Sequence, residues 1–202
     1  MKTTFFLLVL SFGLFFNLYA TDDLGWKESK NQNGITVLTR SIAGSGFKEF
    51  RAKVEVKATQ QEVIDLILNF DSYPNWMYNY TTCNLLKKNS ASEYLYYAVV
   101  SAPFPVSSRD AIINCNVTYA SDKTVITLSA APTFLPLKNG KVRMSKFSGE
   151  WEVKPLKDGL VEIVCQLHVE PGGSVPKWLS NMFVSDGPYT TFLNMKNMLA
   201  KK

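Results

Sequence analysis

The sequence predicts an α+β fold in which a curved antiparallel β-sheet wraps around a long C-terminal α-helix. Three observations predict it. Residues 79–170 read as consecutive strands joined by tight turns, the pattern of an antiparallel meander. Thr59-Gln60-Gln61-Glu62 is a capping box ahead of an apolar-sided helix. Residues 175–202 carry an apolar stripe at helical spacing, and the natural way to bury it is across the concave face of the sheet.

In chain order, residues 26–30 and 35–39 read as two short strands around Asn33-Gly34, a strong tight-turn signal. In residues 49–57, Phe50, Ala52, Val54 and Val56 alternate with charged residues, giving a half-buried strand. The helix capped by Thr59 follows, its apolar side made of Val63, Ile64, Ile67 and Leu68. Asp71 is placed to cap a second short helix over 72–76. Strands are expected over 79–88, 93–102, 108–119, 124–131, 143–155 and 160–170. Asn89-Ser90, Ser121-Asp122, Asn139-Gly140 and Asp158-Gly159 sit in the turns between them. The last helix carries Trp178, Met182, Tyr189, Phe192, Met195 and Leu199, widened by Phe183 and Leu193. Gly187-Pro188 should kink it, because proline lacks the amide and clashes with the preceding turn.

A length of 202 residues suits one domain. At 46% hydrophobic and 19% charged, the composition excludes wholesale disorder and collagen-like repeats. Residues 1–20 read as a cleaved secretory signal peptide: Lys2, an apolar run over 5–16, and a small residue at Ala20. That run is well short of the ~20 residues that span a bilayer. The mature chain, 21–202, is then exported, periplasmic in a Gram-negative bacterium and secreted otherwise. Loss of Lys2 takes the net charge from +5 to +4, and the charges are scattered. Nucleic acid is therefore not an expected partner; a mild attraction to anionic membranes is. Three cysteines leave at least one thiol free, and the single histidine, His168, with no Cys-x-x-Cys, offers no zinc pattern.

Pro103-Phe104-Pro105-Val106-Ser107-Ser108-Arg109-Asp110 resembles the proline-rich turn and Arg-Asp pair of the StAR-related lipid transfer (START) family. Gly173-Ser174-Val175-Pro176-Lys177-Trp178, followed by Asn181, resembles that family's lead into its last helix, and Trp76 is also family-like. The resemblance covers about residues 25–200. It implies a helix-grip fold with an interior hydrophobic cavity for one apolar ligand between sheet and last helix.

Strand parity then selects candidate ligand contacts. Ala111, Ile113, Cys115 and Val117 share one face, with Asn114 and Asn116 opposite; Val161, Ile163, Cys165, Leu167 and Val169 share another, as do Phe147, Trp151 and Val153. Alone, these patterns suit ordinary core packing; the resemblance turns Ile113, Cys115, Phe147, Trp151, Ile163, Cys165 and Leu167, with Met182, Phe183 and Tyr189 of the helix, into ligand contacts. Tyr94 and Tyr96 lie on one face of their strand and Tyr97 on the other. Their hydroxyls suit a ligand hydroxyl or ester, or their rings a cross-strand aromatic pair. Arg109 serves either a ligand or a structural ion pair that anchors the proline turn. Some sterol-binding members carry an inward basic residue where Cys115 stands and an acid near Tyr96 or Tyr97, so this cavity is expected to be more apolar. The segment 131–137 is expected to correspond to the family's omega-type loop, with Phe134, Leu135 and Leu137 as the gate of the cavity, or else to pack on the helix and complete the core.

The expected function is binding and carriage of a hydrophobic small molecule, a lipid, by a monomer that touches membranes transiently. No catalytic residue, metal or cofactor is assigned, since His168 has outward parity. The alternatives are a cyclase- or dehydratase-like enzyme on the same scaffold, acting on a polyketide- or steroid-like ligand through Tyr and Asp groups, and an interaction domain whose cavity is filled by side chains.

Overall fold

The computed structural model describes residues 25–176, 179 and 182–201. The segment expected to be a signal peptide, Lys177, Trp178, Asn181 and the side chain of Met182 lie outside the described residues. Ten described strands form one sheet: β1 (Lys27–Gln32), β2 (Ile35–Ser41), β3 (Lys48–Lys57), β4 (Tyr80–Lys88), β5 (Glu93–Val100), β6 (Ser108–Tyr119), β7 (Thr124–Ala130), β8 (Lys141–Arg143), β9 (Lys146–Pro155) and β10 (Leu160–Glu170). Their order is β1-β2-β3-β10-β9-β7-β6-β5-β4, antiparallel throughout, with β8 added beside β6 in parallel. The Asn33-Gly34 turn joins β1 to β2 with both residues at positive φ, 55° and 74°, as a two-residue hairpin of matching twist requires.

The capping box forms as the sequence predicts. Thr59 Oγ1 accepts from the Glu62 amide at 3.2 Å and Glu62 Oε2 accepts from the Thr59 amide at 2.9 Å, opening α1 (Gln60–Leu68). The second short helix is a 3-10 turn, Phe70–Asn75, and Asp71 does not cap it. Its N-cap position is Asn69, without a side-chain cap bond, and Asp71 sits inside the first turn.

Two further expectations change. The strand expected over 143–155 is broken at Met144-Ser145, so that Lys141–Arg143 can leave β9 and lie beside Ser108–Asp110 of β6. The last helix is not one kinked rod. Its regular part is a C-terminal α-helix, Gly187–Leu199, preceded directly by a π-wound turn, Met182–Asp186. Pro188 stands in the first turn of the α-helix, where its missing amide would have had no intrahelical partner.

The concave face and the C-terminal helix enclose the main core. Ile35, Val54, Ile113, Ile126, Val153 and Ile163 from the strands meet Phe192, Met195 and Leu199 from the helix. Each such side chain contributes about 1.5–3 kcal/mol when fully buried. A second, smaller cluster lies on the opposite parity of β5 and β6: Leu95, Tyr97, Val99 and Ile112. The three buried cysteines sit on β4, β6 and β10, which are not neighbours in the sheet.

Candidate functional site: an apolar cavity under the C-terminal helix

Between the concave face and the helix lies a cavity of about 110 Å³. Its floor is Phe50, Tyr96, Leu128, Phe147, Trp151 and Cys165; its roof is Thr191 and Phe192. Phe47, Lys48, Val169, Pro171, Phe183 and Val184 form its rim at one end. The aromatic floor is stiff. Trp151 stacks on Phe192 at 5.6 Å between centroids, Trp76 meets Trp151 at 6.3 Å, and Tyr96 stacks on Phe70 at 4.5 Å. Offset stacking adds to area burial and limits rotamer freedom.

Among the described lining residues there is no carboxylate and no histidine. Burial pushes the phenols of Tyr80 and Tyr96 well above their ordinary value and does the same to the Cys165 thiol, so all three stay neutral. The hydroxyls of Tyr80 and Tyr96 have no hydrogen-bond partner among the described residues, which leaves two neutral donors for a guest. Thr191 is spoken for, since its Oγ1 accepts from the Tyr78 amide at 3.1 Å.

Of the candidates, Tyr96, Phe147, Trp151, Cys165, Leu167 and Phe183 line the cavity. Ile113, Cys115 and Ile163 have the expected inward parity but are core residues beyond its lining. Tyr94 is only half-buried; its hydroxyl donates to the Ala91 carbonyl at 2.6 Å and closes a turn. Tyr189 faces the β1–β2 hairpin, accepting from Asn33 Nδ2 at 2.7 Å, with Lys30 over its ring at 4.4 Å. Arg109 borders a different cleft, with Pro105, Val106, Ser107 and Val142. It does not pair with Asp110, which binds Arg143 instead. Sequence reasoning missed Phe50, Leu128, Val100 and Phe192 as lining. Phe50 and Phe192 carried a usable signal, the first by strand parity and the second by its place on the helix stripe.

The loop expected to gate the cavity is not in its lining. Ala131 and Leu135 pack on the second cluster, against Leu95, Tyr97, Val99 and Ile112, on the face opposite the cavity. Arg143 holds the loop there. Its Nη1 donates to the carbonyls of Pro132 at 2.6 Å and Leu135 at 3.1 Å, and its Nη2 to Pro136 at 3.1 Å. Nε and Nη2 also bind both Asp110 oxygens at 2.9 Å. Phe134 and Leu137 remain exposed at the loop's tip. The Tyr97 hydroxyl beside this pair has no hydrogen-bond partner among the described residues. Burial and the nearby Asp110 carboxylate push its phenol up to about 12. His168 lies outside the cavity, its Nε2 3.1 Å from Ser45 Oγ.

Among the described residues no group of three or more His, Cys, Asp or Glu is placed to hold a metal ion. Comparison with known proteins agrees with the geometry. The family described as polyketide cyclase / dehydrase and lipid transport matches residues 48–187. An uncharacterized protein of Pseudomonas aeruginosa is 33% identical over 192 residues, covering 95% of this chain and 93% of its own. A crystallised STAR-related lipid transfer protein fragment from Xanthomonas axonopodis is 34% identical, with a TM-score of 0.81 over 87% of this chain and 99% of that one. Human StAR-related lipid transfer protein 5 shares the fold at 20% identity, with a TM-score of 0.79 over 91% of this chain and 90% of that one. The chain belongs to the polyketide cyclase / dehydrase and lipid transport family and, within it, to the START helix-grip type.

Proposed function

We propose that this protein takes up one lipid-like hydrophobic molecule under its C-terminal helix and delivers it at a membrane. The observation that carries the reading is the cavity itself, aromatic and aliphatic, with no acid or histidine among its described lining. A binder of apolar chains needs that surface. A cyclase or dehydratase needs an acid and a base set against each other, and the described lining supplies phenols, a thiol, the Thr191 hydroxyl and, at the rim, Lys48, with no carboxylate or imidazole to partner them.

At about 110 Å³ the cavity is smaller than the ~150 Å³ void that admits benzene. A lipid therefore enters only when the helix shifts. The helix is held unevenly. Its C-terminal half is buried through Phe192, Met195 and Leu199. Its N-terminal end carries half-buried Phe183 and Val184 at the rim and is clasped by polar bonds to the β1–β2 hairpin. These are Lys30 to Asp186 at 2.9 Å and Ser29 to Ser185 at 2.8 Å. Exposed bonds of this kind are worth well under 1 kcal/mol each, so the N-terminal end is the one that opens.

That end also carries the membrane contact. The loops 101–107 and 131–140 flank the start of β6, where Lys141 pairs with Ser108. Phe104 is 96% exposed and Leu137 is 75% exposed on these loops, with Lys48, Lys138 and Lys146 near the same end of the sheet. Apolar tips among lysines suit an anionic bilayer. The export expected from residues 1–20 would set this traffic in a periplasm or outside the cell.

The test has two parts. Native mass spectrometry of the protein as purified should show one copy of a bound amphiphile, released on unfolding. Transfer of a fluorescent fatty acid between anionic vesicles should slow severalfold in Phe104→Ser/Leu137→Ser, with equilibrium uptake unchanged. A protein that binds no amphiphile at all refutes the reading.

A further inference from the structure

β6 opens with two charged residues that are each 1% exposed, and strand alternation sends them to opposite faces. Asp110 is fully matched by Arg143. Arg109 is not matched. It shares the inward parity of Ala111 and Ile113, and no carboxylate among the described residues pairs with it. One of its N–H groups donates to the carbonyl of Ser107, two residues back, and its Nε has no partner among the described residues. A guanidinium carries five N–H donors. A buried cation without a counter-charge is costly, and the cost disappears when an anion fills the vacancy.

The surroundings leave room for one. Arg109 borders an open cleft of about 510 Å³ formed with Pro105, Val106, Val142 and the segment Gly173-Ser174-Val175-Pro176. In the sheet Arg109 lies between Val100 of β5 and Val142 of β8. Val100 and Met144 both line the apolar cavity, so the cleft adjoins one end of it.

We propose that Arg109 is the receptor for an oxyanion, a carboxylate or phosphate group, held in this cleft while an attached apolar chain occupies the neighbouring cavity. The natural ligand is then an anionic amphiphile rather than a neutral one, an inference that rests on the carrier reading for the chain but not for the head. Guanidinium suits the role because its planar fork meets two oxygens at once, which an ammonium cannot do. Burial lowers the guanidinium's own pKa, the mark of a charge held away from water, and a bound anion would offset that penalty.

The test compares oleate with oleyl alcohol, a pair of equal chain and different head, by quenching of tryptophan fluorescence at pH 8, with inorganic phosphate followed separately by thermal shift. The wild type should bind oleate at least about tenfold more tightly than the alcohol, about 1.4 kcal/mol. Arg109→Met should erase that preference and leave the alcohol's affinity within about twofold. Arg109→Lys, which keeps the charge and loses the fork, should retain part of it, with near-UV circular dichroism confirming the fold of each variant. If phosphate raises the melting temperature of wild type but not of Arg109→Met, while oleate shows no preference, the site takes a free anion. Equal binding of oleate and alcohol with no phosphate effect overturns the anion site and spares the carrier reading. An oleate preference that survives in Arg109→Met assigns it to another cation and overturns the role of Arg109. Failure of both amphiphiles refutes the carrier reading, and the phosphate arm alone then decides Arg109.

Discussion

Arg143→Met should be among the most damaging single substitutions away from the apolar core. All five N–H donors of Arg143 are used: two on the Asp110 carboxylate and three on the carbonyls of Pro132, Leu135 and Pro136. The side chains of Arg143 and Asp110 are 5% and 1% exposed, so neither finds water when its partner goes. Methionine keeps most of the volume and removes every donor. The loop carbonyls are near the surface and recover water at small cost. The Asp110 carboxylate does not, and it is left against a second cluster that is otherwise apolar. Breaking a buried pair from one side costs about 3–5 kcal/mol, which for a domain of this size lowers the melting temperature by roughly 10 °C. Urea and thermal unfolding followed by circular dichroism measure it. The double variant Asp110→Asn/Arg143→Met should be less damaged than the sum of the singles by about 1–3 kcal/mol, because no unpaired charge remains. A loss below about 1 kcal/mol for Arg143→Met would mean that the pair behaves as a surface bridge, and the reasoning would be wrong.

Burial pushes the Cys115 thiol from its ordinary value of 9.0 up to about 12. Because the folded value is the raised one, this stability is whole below about pH 9 and is lost as pH climbs towards 12, at up to about 1.4 kcal/mol per pH unit; urea midpoints from pH 8 to 11 should fall, and Cys115→Ala should flatten the slope. At pH 8 the buried thiols of Cys83, Cys115 and Cys165 should react with an aromatic disulfide only as fast as the protein opens, and rapid native-state labelling would contradict their burial. Gly149→Ala should destabilise by about 1–3 kcal/mol, since an added methyl would press on the Gln166 carbonyl and come within 2.8 Å of the Leu167 Cα; unchanged unfolding would show that the strands part easily there. Lys30→Met should cost less than about 1 kcal/mol of stability yet speed uptake of a fluorescent fatty acid by loosening the hairpin's hold on Asp186, and an unchanged uptake rate would remove the clasp from the mechanism.

The strands were legible because one face of each is buried and the other is not. Phe50, Ala52, Val54 and Val56 alternate with charges, and a one-residue slip would turn all four outward. β8 was not legible: three residues, Lys141–Arg143, all half-buried, carry no alternation, and their parallel pairing is set by β6. Parity found the face of the cavity but not its extent along each strand, which depends on where the helix crosses; hence Cys165 and Trp151 line it while Ile113 and Ile163 do not. The segment 131–137 reads as a gate from its apolar side chains and its resemblance to the family's omega-type loop, and neither signal says which face of the sheet the loop packs on. The loop at 101–107 has the same character, with Phe104 between Pro103 and Pro105. What separates the two is tertiary: the Ala131 amide bonds the Ile112 carbonyl at 2.8 Å and Arg143 clamps the rest, while 101–107 follows directly from cavity-lining Val100.

Arg109 and Asp110 show how far adjacency in sequence misleads about pairing. Two opposite charges side by side suggest one ion pair. In a strand, successive side chains leave on opposite faces, so the backbone between them acts as a wall. On the outer side Asp110 needs a cation, and the chain supplies Arg143 from the neighbouring β8 at a register position directly beside it. That pairing explains why so short a parallel strand exists: its three residues bring the clamp for both the carboxylate and the loop. On the inner side, where Arg109 points, the neighbours in register are Val100 and Val142, which offer no charge. The same strand thus uses its acid to hold the fold and leaves its base, among the described residues, without a counter-ion beside an apolar cavity. A protein that only had to fold would gain by replacing Arg109 with a neutral residue. Its presence at 1% exposure makes sense if the missing charge arrives with the ligand.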